Sequence, residues 1–192
     1  MEAQFILASA SPRRRQLLEQ IGLSFEVRAA AVDETPQPGE TAMDYVHRAA
    51  RLKAEALTRN PPVPGLPVLA ADTEVVLDGA ILGKPKGRDE ALRMLARLSG
   101  RSHQVLSVVA LWKGGSLETA RCESRVSFRV LRPGEAEAYW ATGEPRDKAG
   151  AYGIQGLGAL FVERLEGSYS NVVGLPLFET AELLRRAGVK VL

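Results

Sequence analysis

The sequence predicts an α/β protein in which helices flank a mixed β-sheet, and three observations predict it. The apolar run Gln4 to Ser9 leads directly into a helix start, as a strand–helix crossover requires. The β-like stretches Gln104 to Trp112 and Leu117 to Val130 flank Lys113-Gly114-Gly115, the pattern of an antiparallel hairpin. Helical and extended patterns then alternate along the chain, so crossovers and hairpins share one sheet.

Taken in order, Ser11 suits an N-cap and Pro12 the first helical position, with Leu17, Leu18 and Ile21 as the apolar face and Gly22 as the stop. Phe25 to Ala29 reads as a second strand, running into the acidic loop Val32-Asp33-Glu34. Thr41 caps a longer helix reaching about Arg59, with Ala42, Tyr45, Val46, Ala49, Leu52 and Ala56 on one side; Asn60, Pro61 and Pro62 stop it. The Pro-rich segment Pro61 to Pro67 reads as a surface loop. Val68 to Ala71 and Val75 to Leu77 read as strand, Asp78-Gly79 as a tight turn and Ile81-Leu82 as the return. Helices follow over about Asp89 to Leu98 and Glu135 to Ala141, then a strand over Ala159 to Glu166, a helix over Leu177 to Arg186 and a closing strand over Val189 to Leu192.

The chain has 192 residues, 45% of them hydrophobic and 25% charged, which is the makeup of one domain spanning the whole length with a sizeable core. A formal charge of +2 argues against a protein that coats nucleic acid. Cys122 is the only cysteine, which excludes an intrachain disulfide and a cysteine-cluster zinc site. No apolar run approaches a membrane span, and the start lacks the pattern of a signal peptide, so a cytoplasmic protein is expected.

Four segments carry side chains suited to chemistry. In Ser9-Ala10-Ser11-Pro12-Arg13-Arg14 a strand end meets a helix start with two hydroxyls and two guanidinium groups, an arrangement that suits phosphate but also fits a capped helix with solvated arginines. In Ala70-Ala71-Asp72-Thr73-Glu74 a carboxylate follows directly on an apolar strand, either as a strand-end cap or as a metal ligand or general base. Glu34 could complete a hard oxygen site with it, and Asp33 and Glu74 are equal alternatives. Gly83-Lys84-Pro85-Lys86-Gly87 is not a P-loop, because three residues rather than four separate Gly79 from Gly83 and Pro85 takes the hydroxyl position. It leaves Lys84 on a loop as a point charge for phosphate, or as part of an ordinary turn. The segment Gly143 to Gly158 has five glycines in sixteen positions, permitting close approach of backbone to a ligand, and Gln155 offers an amide that donates and accepts together. A flexible surface loop is the alternative. His47, His103 and Cys122 read as structural, and no G-x-S-x-G surrounds any serine.

Together these segments resemble the Maf family of nucleotide pyrophosphatases. The resemblance runs from Ile6-Leu7-Ala8-Ser9-Ala10-Ser11-Pro12-Arg13-Arg14 through Val32-Asp33-Glu34, Ala71-Asp72-Thr73, Gly83-Lys84-Pro85 and Leu98-Ser99-Gly100 to Ser170-Asn171-Val172-Val173-Gly174-Leu175-Pro176. It implies the two-lobed inosine-triphosphatase-like architecture with a nucleotide in the cleft. Asp147 to Gly156 is similar to the dTTP/UTP branch, which implies hydrolysis of those triphosphates to monophosphate and pyrophosphate, nucleotide-pool cleaning and a part in cell-division arrest. It also implies Asp72 as proton acceptor and Arg13, Thr73 and Gln155 as specificity positions. Glu74 stands where the family usually carries an apolar residue, and Ser107 where Thr is frequent.

On this reading Glu34 and Asp72 hold Mg²⁺ or Mn²⁺, while Lys53, Lys84, Arg13 and Arg14, with Ser9 and Ser11, face the triphosphate. The expected partner is the nucleotide, with no nucleic acid and no membrane; a homodimer is compatible with the sequence. Three other activities fit the same residues: a 7-methyl-GTP-type enzyme, a broad pyrophosphatase for modified nucleotides, and a nucleotide-binding regulator without turnover.

Overall fold

The computed structural model describes residues 2–58 and 65–192. The expected end of the second helix at Arg59, its stop at Asn60, Pro61 and Pro62, and the Pro-rich loop up to residue 64 lie outside the described residues. The described elements are β1 (Phe5–Leu7), α1 (Pro12–Gln20), β2 (Phe25–Val27), α2 (Ala42–Ala56), β3 (Val68–Leu77), β4 (Ala80–Leu82), α3 (Arg88–Leu98), β5 (Ser102–Lys113), β6 (Ser116–Phe128), α4 (Glu135–Ala141), β7 (Val162–Glu166), α5 (Tyr169–Val173) and α6 (Leu177–Arg186). Short 3₁₀ turns at Glu144–Asp147, Ala149–Ala151 and Leu157–Phe161 fill the segment between α4 and β7.

The strands form one mixed sheet in the order β2-β1-β3-β5-β6-β7, with β4 folded back beside the far half of β3. β1 runs parallel to β2 and β3, and the remaining pairs are antiparallel. Both expected caps form: Ser11 Oγ accepts from Arg14 N and Thr41 Oγ1 from Asp44 N. The buried face of α2 is Tyr45, Val46, Ala49, Ala50 and Ala54. Leu52 and Ala56 were expected on it, but Leu52 is only half-buried and Ala56 is exposed, because the buried stripe shifts from the side of Tyr45 toward that of Ala50 and Ala54 along the helix.

Three further expectations are corrected. Asp72, Thr73 and Glu74 do not follow a strand end; they lie inside β3, whose ladder with β5 runs unbroken through Asp72↔Val108, Thr73↔Ser107 and Glu74↔Leu106. The first part of the expected strand from Ala159 is a 3₁₀ turn, and only Val162–Glu166 pairs. Val189 to Leu192 form no strand: Val189 N closes onto Leu184 O at the end of α6, and Val189 and Val191 are buried as core plugs. Helix α5 was not foreseen.

Alternation along β3 and β5 divides the core. On the face covered by α2, Ile6, Val68, Ala70, Val76, Val108 and Ala110 form one apolar cluster with Tyr45, Val46 and Ala50. On the opposite face Leu69, Ala71, Val109 and Leu111 belong to a cluster with α1 and α6, whereas Val75, Leu77 and Val105 belong to another with α3 and α4. Thr73 and Ser107 separate these last two, with their hydroxyls 2.7 Å apart. That polar seam makes two lobes on one continuous sheet.

His103 and Cys122 take the structural places expected of them. His103 Nε2 lies 2.8 Å from the Tyr152 hydroxyl, and its ring meets Phe128 and Tyr152 edge to face. Burial lowers its pKa to about 4 and raises that of the Cys122 thiol to about 12. Since the unfolded chain takes up a proton near pH 6.5 and the folded chain only near 4, the neutral ring's stabilisation is complete above pH 6.5 and is lost as pH falls to about 4. That loss should amount to about 2–3 kcal/mol. Urea unfolding at pH 7 and pH 4.5 should give a clearly smaller acid loss for His103→Gln than for wild type; equal losses would refute the assignment.

Candidate active site

On one edge of β3, β1 pairs only as far as Leu69 and β4 begins only at Val75. Among the described residues no strand therefore lies beside residues 70–74 on that edge, and a cavity of about 600 Å³ wraps around it. Because neighbouring strand residues point to opposite faces, the cavity receives Asp72 and Glu74 from one face and Thr73 from the other. Ser9, Ser11, Arg13, Arg14, Glu34, Lys53, Asp72, Thr73, Lys84 and Gln155, every site residue expected from the sequence, line this one cavity. Asp33 does not; it caps its own loop by accepting from Thr35 N at 2.9 Å.

Arg14 closes the gap in the sheet. Its Nη1 donates to Ala71 O at 2.7 Å and to Ser9 Oγ at 3.4 Å, its Nε donates to Gly174 O at 2.9 Å, and its Nη2 donates to Thr73 Oγ1 at 3.4 Å. A guanidinium carries five N–H groups, so little of Arg14 is left for a ligand. Burial lowers its pKa, with the Asp72 charge opposing. Gly174 sits at φ 130°, in the region that favours glycine, and its carbonyl also accepts from Thr73 Oγ1.

On the other face of β3, Lys53 Nζ from α2 donates to Asp72 Oδ1 at 2.6 Å and to Glu34 Oε2 at 2.9 Å. The loop that carries Glu34 is held in turn by a two-pronged pair of Arg48 with Glu40, 2.7 Å on each prong, and by Arg48 Nη2 donating to Thr35 O. Asp72 is 5% exposed, and its Oδ2 has no hydrogen-bond partner among the described residues. Glu74 Oε2 is likewise buried and unpartnered, and burial, with the neighbouring Asp72 charge, pushes the Glu74 pKa up to about 8. The donors here are carboxylate oxygens alone, two of them without a partner, which fits a hard divalent cation. Among the described residues no three acidic, His or Cys side chains converge on one point, since Lys53 sits between Glu34 and Asp72.

The far wall of the cavity is the glycine-rich segment. Arg13 bonds Asp147 Oδ2 at 3.0 Å across the mouth, and Lys148 Nζ shares that carboxylate at 2.8 Å. An ion pair this exposed contributes only about 0–1 kcal/mol, so an anionic ligand can displace Asp147 from Arg13 at little cost. Lys84 is exposed and makes no ion pair among the described residues. Sequence reasoning gave Glu144 no role, yet it is the hub of this wall: Tyr139 Oη donates to its Oε1 at 2.7 Å, Gly158 N to the same oxygen at 3.1 Å, and Leu157 N to Oε2 at 2.8 Å. A Cβ on Gly158 would lie 2.6 Å from Gly153 O, so the segment closes this tightly only with glycine there. No spacing rule flags such a carboxylate, because two of its three partners are backbone N–H groups.

A family profile described as Maf-like protein matches residues 4–187. The chain belongs to the Maf family. It is 56% identical over 188 residues to a dTTP/UTP pyrophosphatase of Methylococcus capsulatus, covering 98% of this chain and 93% of that protein. A dTTP/UTP pyrophosphatase of Methylobacillus flagellatus is 52% identical over 185 residues, covering 96% and 93%. Among solved structures, that of the Staphylococcus aureus Ham1 protein aligns with 66% of this chain and 71% of its own at a TM-score of 0.44 and 20% identity.

The bracing by Arg14 of this Maf-like chain predicts that charge alone cannot replace it. Arg14→Lys strands the carbonyls of Ala71 or Gly174 and should cost about 2–4 kcal/mol in urea unfolding. A cost below about 0.5 kcal/mol would show that the guanidinium does not hold the edge.

Proposed function

We propose that this chain is a metal-dependent nucleoside triphosphate pyrophosphatase that takes dTTP and UTP and releases the monophosphate and pyrophosphate. The observation that carries this reading is the convergence on one cavity of a Lys53-bridged carboxylate pair, cationic side chains and the Gln155 amide. The names of relatives more than half identical over nearly the whole chain support it.

A nucleoside triphosphate brings about four negative charges, which must be offset before a water can approach the α-phosphorus. Lys84 and Arg13 meet the phosphates from the two sides of the mouth, and Lys53 meets them from beneath. Ser9 and Ser11 offer hydroxyls at the start of α1, where the helix terminus also favours an anion. Glu34 and Asp72 would hold Mg²⁺ or Mn²⁺, and an ion held there supplies neutralisation of charge on the phosphate oxygens.

Asp72 Oδ1 is fixed by Lys53, which leaves Oδ2 as the oxygen able to accept a proton. In the step we assign to it, a water oxygen bonds to the α-phosphorus, the bond from that phosphorus to the pyrophosphate oxygen breaks, and the water proton passes to Asp72 Oδ2. The buried, rigid seat on β3 keeps that oxygen in place. Gln155 stands on the wall pinned by Glu144, where its amide can meet a carbonyl and the N3–H of uracil or thymine together. Cytosine has no N3–H and carries an amino group in place of one carbonyl, so it leaves a polar group unpaired.

Two measurements test the proposal. Asp72→Asn should fold and should lose roughly 100-fold or more in kcat; retention of more than about a tenth of wild-type turnover would remove the proton-acceptor role. In a pyrophosphate-release panel with Mg²⁺, Mn²⁺ or chelator, UTP and dTTP should turn over in metal and fail with chelator, with CTP and dCTP much poorer. Equal efficiency on CTP and UTP would end the Gln155 readout, a preference for 7-methyl-GTP would reassign the substrate, and nucleotide binding without turnover would make the chain a regulator.

A further inference from the structure

Asp72 and Glu74 stand two apart on β3, so both carboxylates leave the same face of the strand, and both line the cavity. Each has one buried oxygen with no hydrogen-bond partner among the described residues, Asp72 Oδ2 and Glu74 Oε2. A carboxyl oxygen out of water and without a partner is costly in either protonation state, and two of them on one face of a strand leave room for a cation. Lys53 supplies part of what is needed, but its ammonium bonds Asp72 and Glu34 and makes no bond to Glu74. The remaining demand comes from hard oxygen atoms only, with no imidazole or thiolate nearby, and that selects Mg²⁺, Mn²⁺ or Ca²⁺ rather than zinc or copper.

We infer that Glu74 is a further metal ligand, which with Asp72 and Glu34 makes this chain bind one divalent cation in the absence of nucleotide. The inference rests on the reading of the cavity as a metal-assisted site and extends it to the free protein. A Mg²⁺ site with one or two carboxylates commonly relies on substrate phosphates for its remaining oxygens. A third carboxylate supplies enough charge to hold the ion before substrate arrives. Binding of the cation to the three carboxylates displaces Lys53, which on its flexible four-carbon stem is freed toward the phosphates. The order of binding follows, with metal first and nucleotide second.

The test uses metal-stripped protein with no nucleotide, titrated with Mn²⁺ alone, free Mn²⁺ being read by its electron paramagnetic resonance signal. Wild type should bind one Mn²⁺ per chain. Glu74→Gln, which keeps the shape of the side chain, should weaken that binding at least about tenfold, and Glu74→Val should weaken it at least as much while melting no lower than wild type. Binding in both variants within about twofold of wild type would overturn the inference, and so would a wild type that binds no Mn²⁺ without nucleotide. Wild-type pyrophosphate release from UTP with Mn²⁺ is measured alongside. Turnover without a Glu74 effect on Mn²⁺ binding leaves the functional reading standing and removes the ligand, whereas Glu74-dependent binding without turnover does the reverse.

Discussion

The site depends on a backbone constraint: a strand in the middle of a sheet must find hydrogen-bond partners on both edges, and residues 70–74 of β3 have a strand on only one. β1 is too short to reach them and β4 starts beyond them. The gap is closed by a side chain, with Arg14 donating to Ala71 O, and the space that a strand would have filled becomes the cavity. The same omission exposes both faces of β3 to one volume. A carboxylate facing α2 and a hydroxyl facing α5 can thereby act on a single ligand.

The charges follow from this geometry. Asp72 and Glu74 are held on a rigid strand away from bulk water, where an ionised carboxylate needs a partner far more than it would on a loop. Lys53 answers from α2, and Glu34 comes from a loop that Arg48 and Glu40 hold in place. Beyond the Asp147–Lys148 pair at the mouth, the opposite wall is mostly glycine-rich backbone. It presents an amide and a backbone pinned from behind by Glu144, which suits recognition of a neutral base.

Much of this was legible in the sequence because local rules wrote it. Ser11 and Thr41 cap the helices where a hydroxyl before a helical pattern says they should, and Gly114-Gly115 closes the long hairpin as such a pair does. The residues expected at the site all meet in it, although spacing alone left each one open and the family motifs united them. What was not legible is tertiary. A polar triplet ordinarily ends a strand, and only nine paired positions with β5 keep β3 running through Asp72, Thr73 and Glu74. Val189 and Val191 alternate like a strand, but the turn at Gly188 aims them into the core. Glu144 works largely through backbone N–H groups, which leave no trace in residue types.

The polar seam of Thr73 and Ser107 lies within a ladder that is continuous from one lobe to the other. A hinge between lobes needs a few residues free to swivel, and here any swivel would break ladder bonds of β3 and β5 together. A slow clamshell motion of the lobes, on microseconds to milliseconds, would have to strain that ladder. The parts at the mouth, the lysine stems and the Arg13–Asp147 contact, are side chains of the kind that reorient within nanoseconds. Mechanically, the cleft resembles a notch cut in a stiff beam more than a pair of jaws.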